Sequence, residues 1–236
     1  MKTAKLLLTF VIVQLLAVQY AFSTDTPSQE KVHFYAAKQK LIDMLEGRIP
    51  LSYEKAISFI ENAYWDNKVN LDFFNYSLDF HLQNIQKLID VNRDYSKQNF
   101  KRTLLETEEQ KIAKFERALA NWAIFSYMTD TTIFVGQDKL FYSPPFSYST
   151  NDPLGTVDWS NTQVFNLLDT KKGNCFALVS LFKIFSERLN SKANICTAPG
   201  HIYIRHADHK GIFHNVELAT RAFPGTGSME TLTYTT

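Results

Sequence analysis

Between Phe34 and Phe125 apolar side chains recur three and four positions apart: Phe34, Ala37, Leu41, Met44 and Leu45; Ala56, Phe59, Ile60, Ala63 and Tyr64; Phe74, Leu78, Leu82, Ile85, Leu88 and Ile89; Ile112, Phe115, Leu119, Trp122 and Phe125. That spacing puts each set on one helical face and predicts four amphipathic helices. Gly47 to Ser52, with Pro50, separates the first from the second, and Ser52 is a candidate N-cap with Lys55 at its third position. Past residue 130 the pattern changes. Thr131 to Val135 is strand-like, and Phe141 to Gly155 carries Pro144, Pro145 and Pro153 and reads as a long ordered loop. A helix is predicted over about 161–169, with Asp158 or Ser160 as its cap. A second over 176–189 has Leu178, Leu181, Phe182 and Phe185 on one face. Residues 193–198, 201–206 and 212–218 alternate as strands, joined by a turn at Pro199-Gly200 and a loop at 207–211. The fold class expected is α+β: a helical region over 24–130, then a core over 131–236 in which a helix packs on an antiparallel meander.

The first residues belong to neither part. Met1 to Lys5 is basic, Leu6 to Val18 is apolar apart from Thr9 and Gln14, and Ala21-Phe22-Ser23 offers small residues for cleavage. This reads as a signal peptide over 1–23, and about 13 apolar residues are too few to cross ~30 Å of hydrocarbon. The expectation is an exported protein, periplasmic or extracellular, with no stable membrane insertion once the leader is removed. An apolar fraction of 45% and a charged fraction of 21% exclude a chain disordered throughout. Loss of Lys2 and Lys5 with the leader would turn the net charge from +1 to −1, which speaks against a nucleic-acid partner. Seven of the eight glycines follow residue 135, and none forms GxGxxG or GxxxxGK[ST], so no nucleotide cofactor is expected.

The chemistry concentrates late. Lys171-Lys172-Gly173-Asn174 leads into a helix with Cys175 at its start, where exposed N–H groups and the positive end of the helix dipole favour a thiolate. If His206 faces Ile212 across the loop, His201 faces Glu217; a tighter loop sets Asn215 opposite instead, and both lie on one face because strand side chains alternate. A thiol, an imidazole and a group that orients the imidazole are what nucleophilic acyl transfer requires. Trp159, Asn161 and Gln163, which precede the helix bearing Cys175, could supply an oxyanion donor beside the Cys175 N–H. A bridge between Cys175 and Cys196 is the rival use of the thiol, closing a loop of about 20 residues. His201, His206, His209 and His214 with Asp208 invite a metal reading, but no HExxH spacing occurs, and no metal is expected.

From Asn161 to Gly227, with "GNCFALVSLFKIFSERL", "APGHIYIRH" and "NVELATRAFPGTG", the chain resembles the transglutaminase-like superfamily. The resemblance implies a papain-like core with Cys175 as nucleophile and His201 as general base and acid. The third group would be Glu217, where relatives usually carry Asp in a VDPT-like segment, and Asn215 stays open as the reserve. It implies a cysteine-dependent amide hydrolase or acyl transferase acting on a protein or peptide amide. The reading from another class is a non-catalytic peptide-binding or scaffold module on the same fold. Relatives often continue into a helical, tetratricopeptide-like tail, whereas this sequence stops at "METLTYTT" within a strand-like alternation, as a fragment would.

Overall fold

A computed structural model describes residues 29–98, 106–135 and 139–225. The leader and the last strand-like stretch lie outside them. Among the described residues no helix is long and apolar enough to cross a membrane. The architecture is mixed α and β, and the chain divides into two units, one ending at Leu71 and one beginning at Asp72.

In the first unit, α1 (Gln29–Leu45) packs on α2 (Tyr53–Tyr64). Ala37, Leu41 and Met44 from one and Ala56, Ile57, Ile60 and Ala63 from the other are buried. Ser52 caps α2, its hydroxyl accepting from the Lys55 N–H at 3.2 Å.

The second unit opens with two long helices, α3 (Leu71–Gln98) and α4 (Glu108–Thr129). Thr107 and Gln110 form a capping box at the start of α4. The face of α4 that packs differs from the predicted one. Phe115 and Leu119 are buried, but Ile112 and Trp122 are exposed, and Ala120, Ala123, Ile124, Tyr127 and Met128 fill the core instead. Periodicity follows the largest apolar residues, whereas the small alanines are what allow a close approach of neighbouring helices.

The strand expected at 131–135 forms as β1 (Thr132–Val135) and pairs antiparallel with β2 (Leu140–Ser143); β2 and β3 (Ser147–Tyr148) stand where a long loop was predicted. The prolines of 141–155 suggested irregular backbone, yet Pro144 and Pro145 fall between strands, where no ladder N–H is needed. Phe146, 2% exposed, seals the core at this point, and its N–H donates to the Met128 carbonyl at 2.9 Å.

The helix predicted near 161–169 is in fact two pieces. A 3₁₀ turn (Trp159–Thr162), capped by Asp158, precedes α5 (Val164–Thr170), because Gln163 between them is extended at φ −93, ψ 138. Lys171 closes α5 in the left-handed region at φ 59 and turns the chain into β4 (Lys172–Gly173), which runs parallel to β3. Then comes α6 (Cys175–Arg188), the central element of the unit, packed on α4, α5 and the last sheet. Leu178, Leu181, Phe182, Ile184 and Phe185 are fully buried, each side chain contributing about 1.5–3 kcal/mol by leaving water. At its far end Ser191 bonds Asn121 Oδ1 at 2.7 Å and Ser186 Oγ at 2.9 Å, and Ser186 Oγ accepts from the Ala193 N–H at 2.9 Å. This polar knot steers the chain from α6 into the meander β5 (Asn194–Ala198), β6 (His201–Ala207), β7 (Phe213–Val216).

Candidate functional site

Cys175 opens α6 because Asn174 stops the chain from being helical any earlier. Asn174 has φ −79 and ψ −175, and its Oδ1 accepts from the N–H groups of Phe176 at 3.0 Å and Ala177 at 3.2 Å. Two further bonds fix this cap in space: its N–H donates to the Asn161 carbonyl at 2.9 Å, and its Nδ2 to the Pro153 carbonyl at 3.0 Å. Just before it, Gly173 has no room for a side chain, since an added Cβ would stand 2.8 Å from that of Ala177. Cys175 itself is half-buried and a free thiol, as is Cys196.

His201 is the first residue of β6 and is 5% exposed. Its Nε2 is hydrogen-bonded to a carboxylate oxygen of Glu217, itself buried, and the imidazole also hydrogen-bonds the Cys175 thiol. Burial alone would lower the imidazole pKa, but the hydrogen bonds with Cys175 and Glu217, and their negative charges, outweigh it and raise the value to about 9. The ring is thus held as a cation near neutral pH.

The strands carry these residues in a register other than the two considered from sequence. His206 faces His214, not Ile212, and Ile204 faces Val216. The cause is the turn: Asp208 Oδ1 accepts from the N–H groups of Lys210 at 2.8 Å and Ile212 at 2.9 Å, and Gly211 takes φ +82. Ile212 therefore belongs to the loop. A shift of two residues preserves which face each side chain occupies, so Glu217 stays on the face of His201.

Glu217 is set rigidly. Its backbone pairs with Ala222 in both directions, at 2.9 and 3.0 Å, and its Oε1 accepts from the Ala219 N–H at 2.9 Å. Asn215 stands two residues earlier, and its Nδ2 donates to the Pro224 carbonyl at 3.2 Å, holding the returning chain against β7.

Of the oxyanion donors considered from sequence, Asn161 is committed elsewhere, its Nδ2 donating to the carbonyls of Asn151 at 3.0 Å and Asp152 at 2.9 Å. Trp159 lies in the 3₁₀ turn, its carbonyl accepting from the Thr162 hydroxyl at 2.7 Å. Gln163 is buried at the start of α5. Cys196 lies opposite Tyr203, and burial pushes its thiol pKa up against the pull of Arg205 and the Tyr203 hydrogen bond. His214 bonds Asp208 at 2.9 Å, and among the described residues no three metal-binding side chains converge.

One residue that the chemistry-led reading of the sequence did not single out stands here. Tyr148 of β3 is placed opposite Gly173 by the parallel pairing, and its phenol feels the charges of both Cys175 and Glu217. The predicted loop held several tyrosines, and only the pairing with β4 selects this one.

Comparison of the chain with family models, with curated proteins and with solved structures finds no match in any of the three.

Proposed function

We propose that this protein is a transglutaminase-like, cysteine-dependent amide hydrolase or acyl transferase, exported from the cell and acting on a protein or peptide amide. One observation carries the reading: a single buried imidazole hydrogen-bonds the Cys175 thiol and the Glu217 carboxylate at once. Glu217 favours the His201 cation, the partner that a thiolate nucleophile requires. The thiolate attacks the amide carbon, forming a C–S bond while the carbonyl electron pair moves onto oxygen. As that adduct collapses, the C–N bond breaks and His201 passes its proton to the departing nitrogen. Water, deprotonated by the now neutral His201, then releases the acid from the thioester; an amine in place of water gives acyl transfer. The helical elements α3 and α4 supply no side chain to this sequence of steps and support α6 by packing.

The test is interception of the thioester. With a mixture of glutamine- and asparagine-containing peptides and hydroxylamine, the protein should form acyl hydroxamate, and Cys175→Ala and His201→Ala should abolish it. Equal yields from all three proteins would refute the enzyme reading and leave the non-catalytic module.

A further inference from the structure

The strand that carries Tyr148 is pinned on both sides. Ahead of it, the Ser147 N–H donates to the Lys171 carbonyl at 2.9 Å; behind it, the Ser149 N–H donates to the Gly173 carbonyl at 2.8 Å. The Lys171 ammonium also sits 3.9 Å from the centre of the Phe146 ring, fastening the residue two before Tyr148. Tyr148 is thus a fixed point beside the start of α6. The ladder sets its backbone against Gly173, two residues ahead of Cys175. Burial, then the charges of Cys175 and Glu217, push the phenol above its ordinary pKa, so the oxygen keeps its proton. Its hydroxyl donates to no partner among the described residues.

The reaction proposed above needs hydrogen-bond donors where negative charge appears on the carbonyl oxygen. The Asn174 cap takes the amides of Phe176 and Ala177 and leaves that of Cys175, the first in the helix, with no intrahelical acceptor. A second donor must come from outside α6; Asn161 is committed to the loop, and Tyr148 stands on the strand paired with Gly173, just ahead of Cys175. We propose that Tyr148 is a further catalytic residue of this site, its O–H donating a hydrogen bond to the oxygen of the tetrahedral adduct formed on Cys175. The inference rests on the thiol reading of the site. As Cys175 sulfur bonds to carbon, the C=O π pair becomes a third lone pair on oxygen, and the phenol hydrogen-bonds it without transferring its proton. When the pair returns and the leaving group departs, that bond weakens again.

Two reagents separate this role from others. Acylation of Cys175 by p-nitrophenyl acetate passes through such an oxyanion, with nitrophenolate leaving; alkylation by iodoacetamide displaces iodide and forms none. Both rates are measured near neutral pH on the full chain and on Tyr148→Phe, with Cys175→Ala as background and the thermal midpoint as a check on folding. Tyr148→Phe should slow acylation by roughly ten-fold or more, part of the ~10²–10³ that one oxyanion donor supplies, while alkylation stays within about two-fold. Unchanged acylation overturns the proposal, and so does an equal slowing of both reactions, which would place the phenol on the thiolate. If the native chain reacts with neither reagent beyond Cys175→Ala, the thiol reading itself has failed, and this inference with it.

Discussion

Glu217 reaches His201 along a diagonal of the β6–β7 ladder. The register pairs Ile204 with Val216, so a continued ladder would set Tyr203 across from Glu217, with His201 one step further along the same face. Diagonal neighbours lie farther apart than opposed ones, a gap that a long side chain spans. The extra methylene of Glu over Asp suits that span.

Glu217→Gln removes the charge that favours the imidazolium and keeps the shape. Turnover should fall about 100-fold, as expected for loss of the group that orients and polarises a catalytic base. Asn215→Ala should lower turnover less than about five-fold but lower stability by about 1–2 kcal/mol, because it leaves the Pro224 carbonyl short of a donor. Kinetics and urea unfolding of both variants check the order; the reverse order would assign the orienting role to Asn215.

The His201 cation sets an alkaline limit. Activity should decline as pH rises through about 9, where the imidazole loses its proton, and Glu217→Gln should move that limit to lower pH. Stability follows the same group. The folded value lies above the ordinary 6.5 of the unfolded chain, so the stabilisation is full below 6.5, falls as pH rises through about 9, and is absent above it. Urea midpoints at intervals across that window, with His201→Asn as the reference that lacks the trend, give the measurement.

A second histidine works in the opposite direction. His81, 5% exposed, is hydrogen-bonded to the Tyr127 hydroxyl at 2.6 Å, and burial, together with the Lys171 charge, lowers its pKa to about 3. Below pH 6.5 the unfolded chain takes up a proton that the folded one refuses, so stability should drop by up to about 1.4 kcal/mol per pH unit down to about pH 3. His81→Gln should flatten this dependence in acid unfolding curves. A slope unaltered by the substitution would assign the acid sensitivity to other groups.

Gly173→Ala tests the packing beneath Cys175. The new methyl would meet Ala177 Cβ at 2.8 Å and the Asn161 carbonyl at 3.3 Å, so the first turn of α6 must shift. Stability should fall by about 1–3 kcal/mol and Cys175-dependent turnover by more than ten-fold. The double substitution Gly173→Ala with Ala177→Gly removes the nearer clash and should recover most of both losses.

Local pattern determined much of this molecule. The four N-terminal helices, the helix that begins at Cys175, and the three strands after it stand where spacing predicts them, although the face that α4 buries is not the one its largest apolar residues mark. The same rule that assigns side chains to alternate faces put Glu217 on the His201 face in any register shifted by an even number. What pattern could not provide was selection among equivalent partners. The choice of Glu217 over Asn215 came from the Asp208 turn and from the Pro224 carbonyl, contacts between segments whose pairing no spacing encodes. Ala120 and Ala123, not Trp122, face the core of α4 because neighbouring helices need room. Tyr148 joined the site through a two-residue parallel ladder, too short to leave a periodic signal and held by Lys171 and Gly173 more than twenty residues away. Such long-range pairings depend on the assembled backbone, and in this protein they decide which side chains share the chemistry.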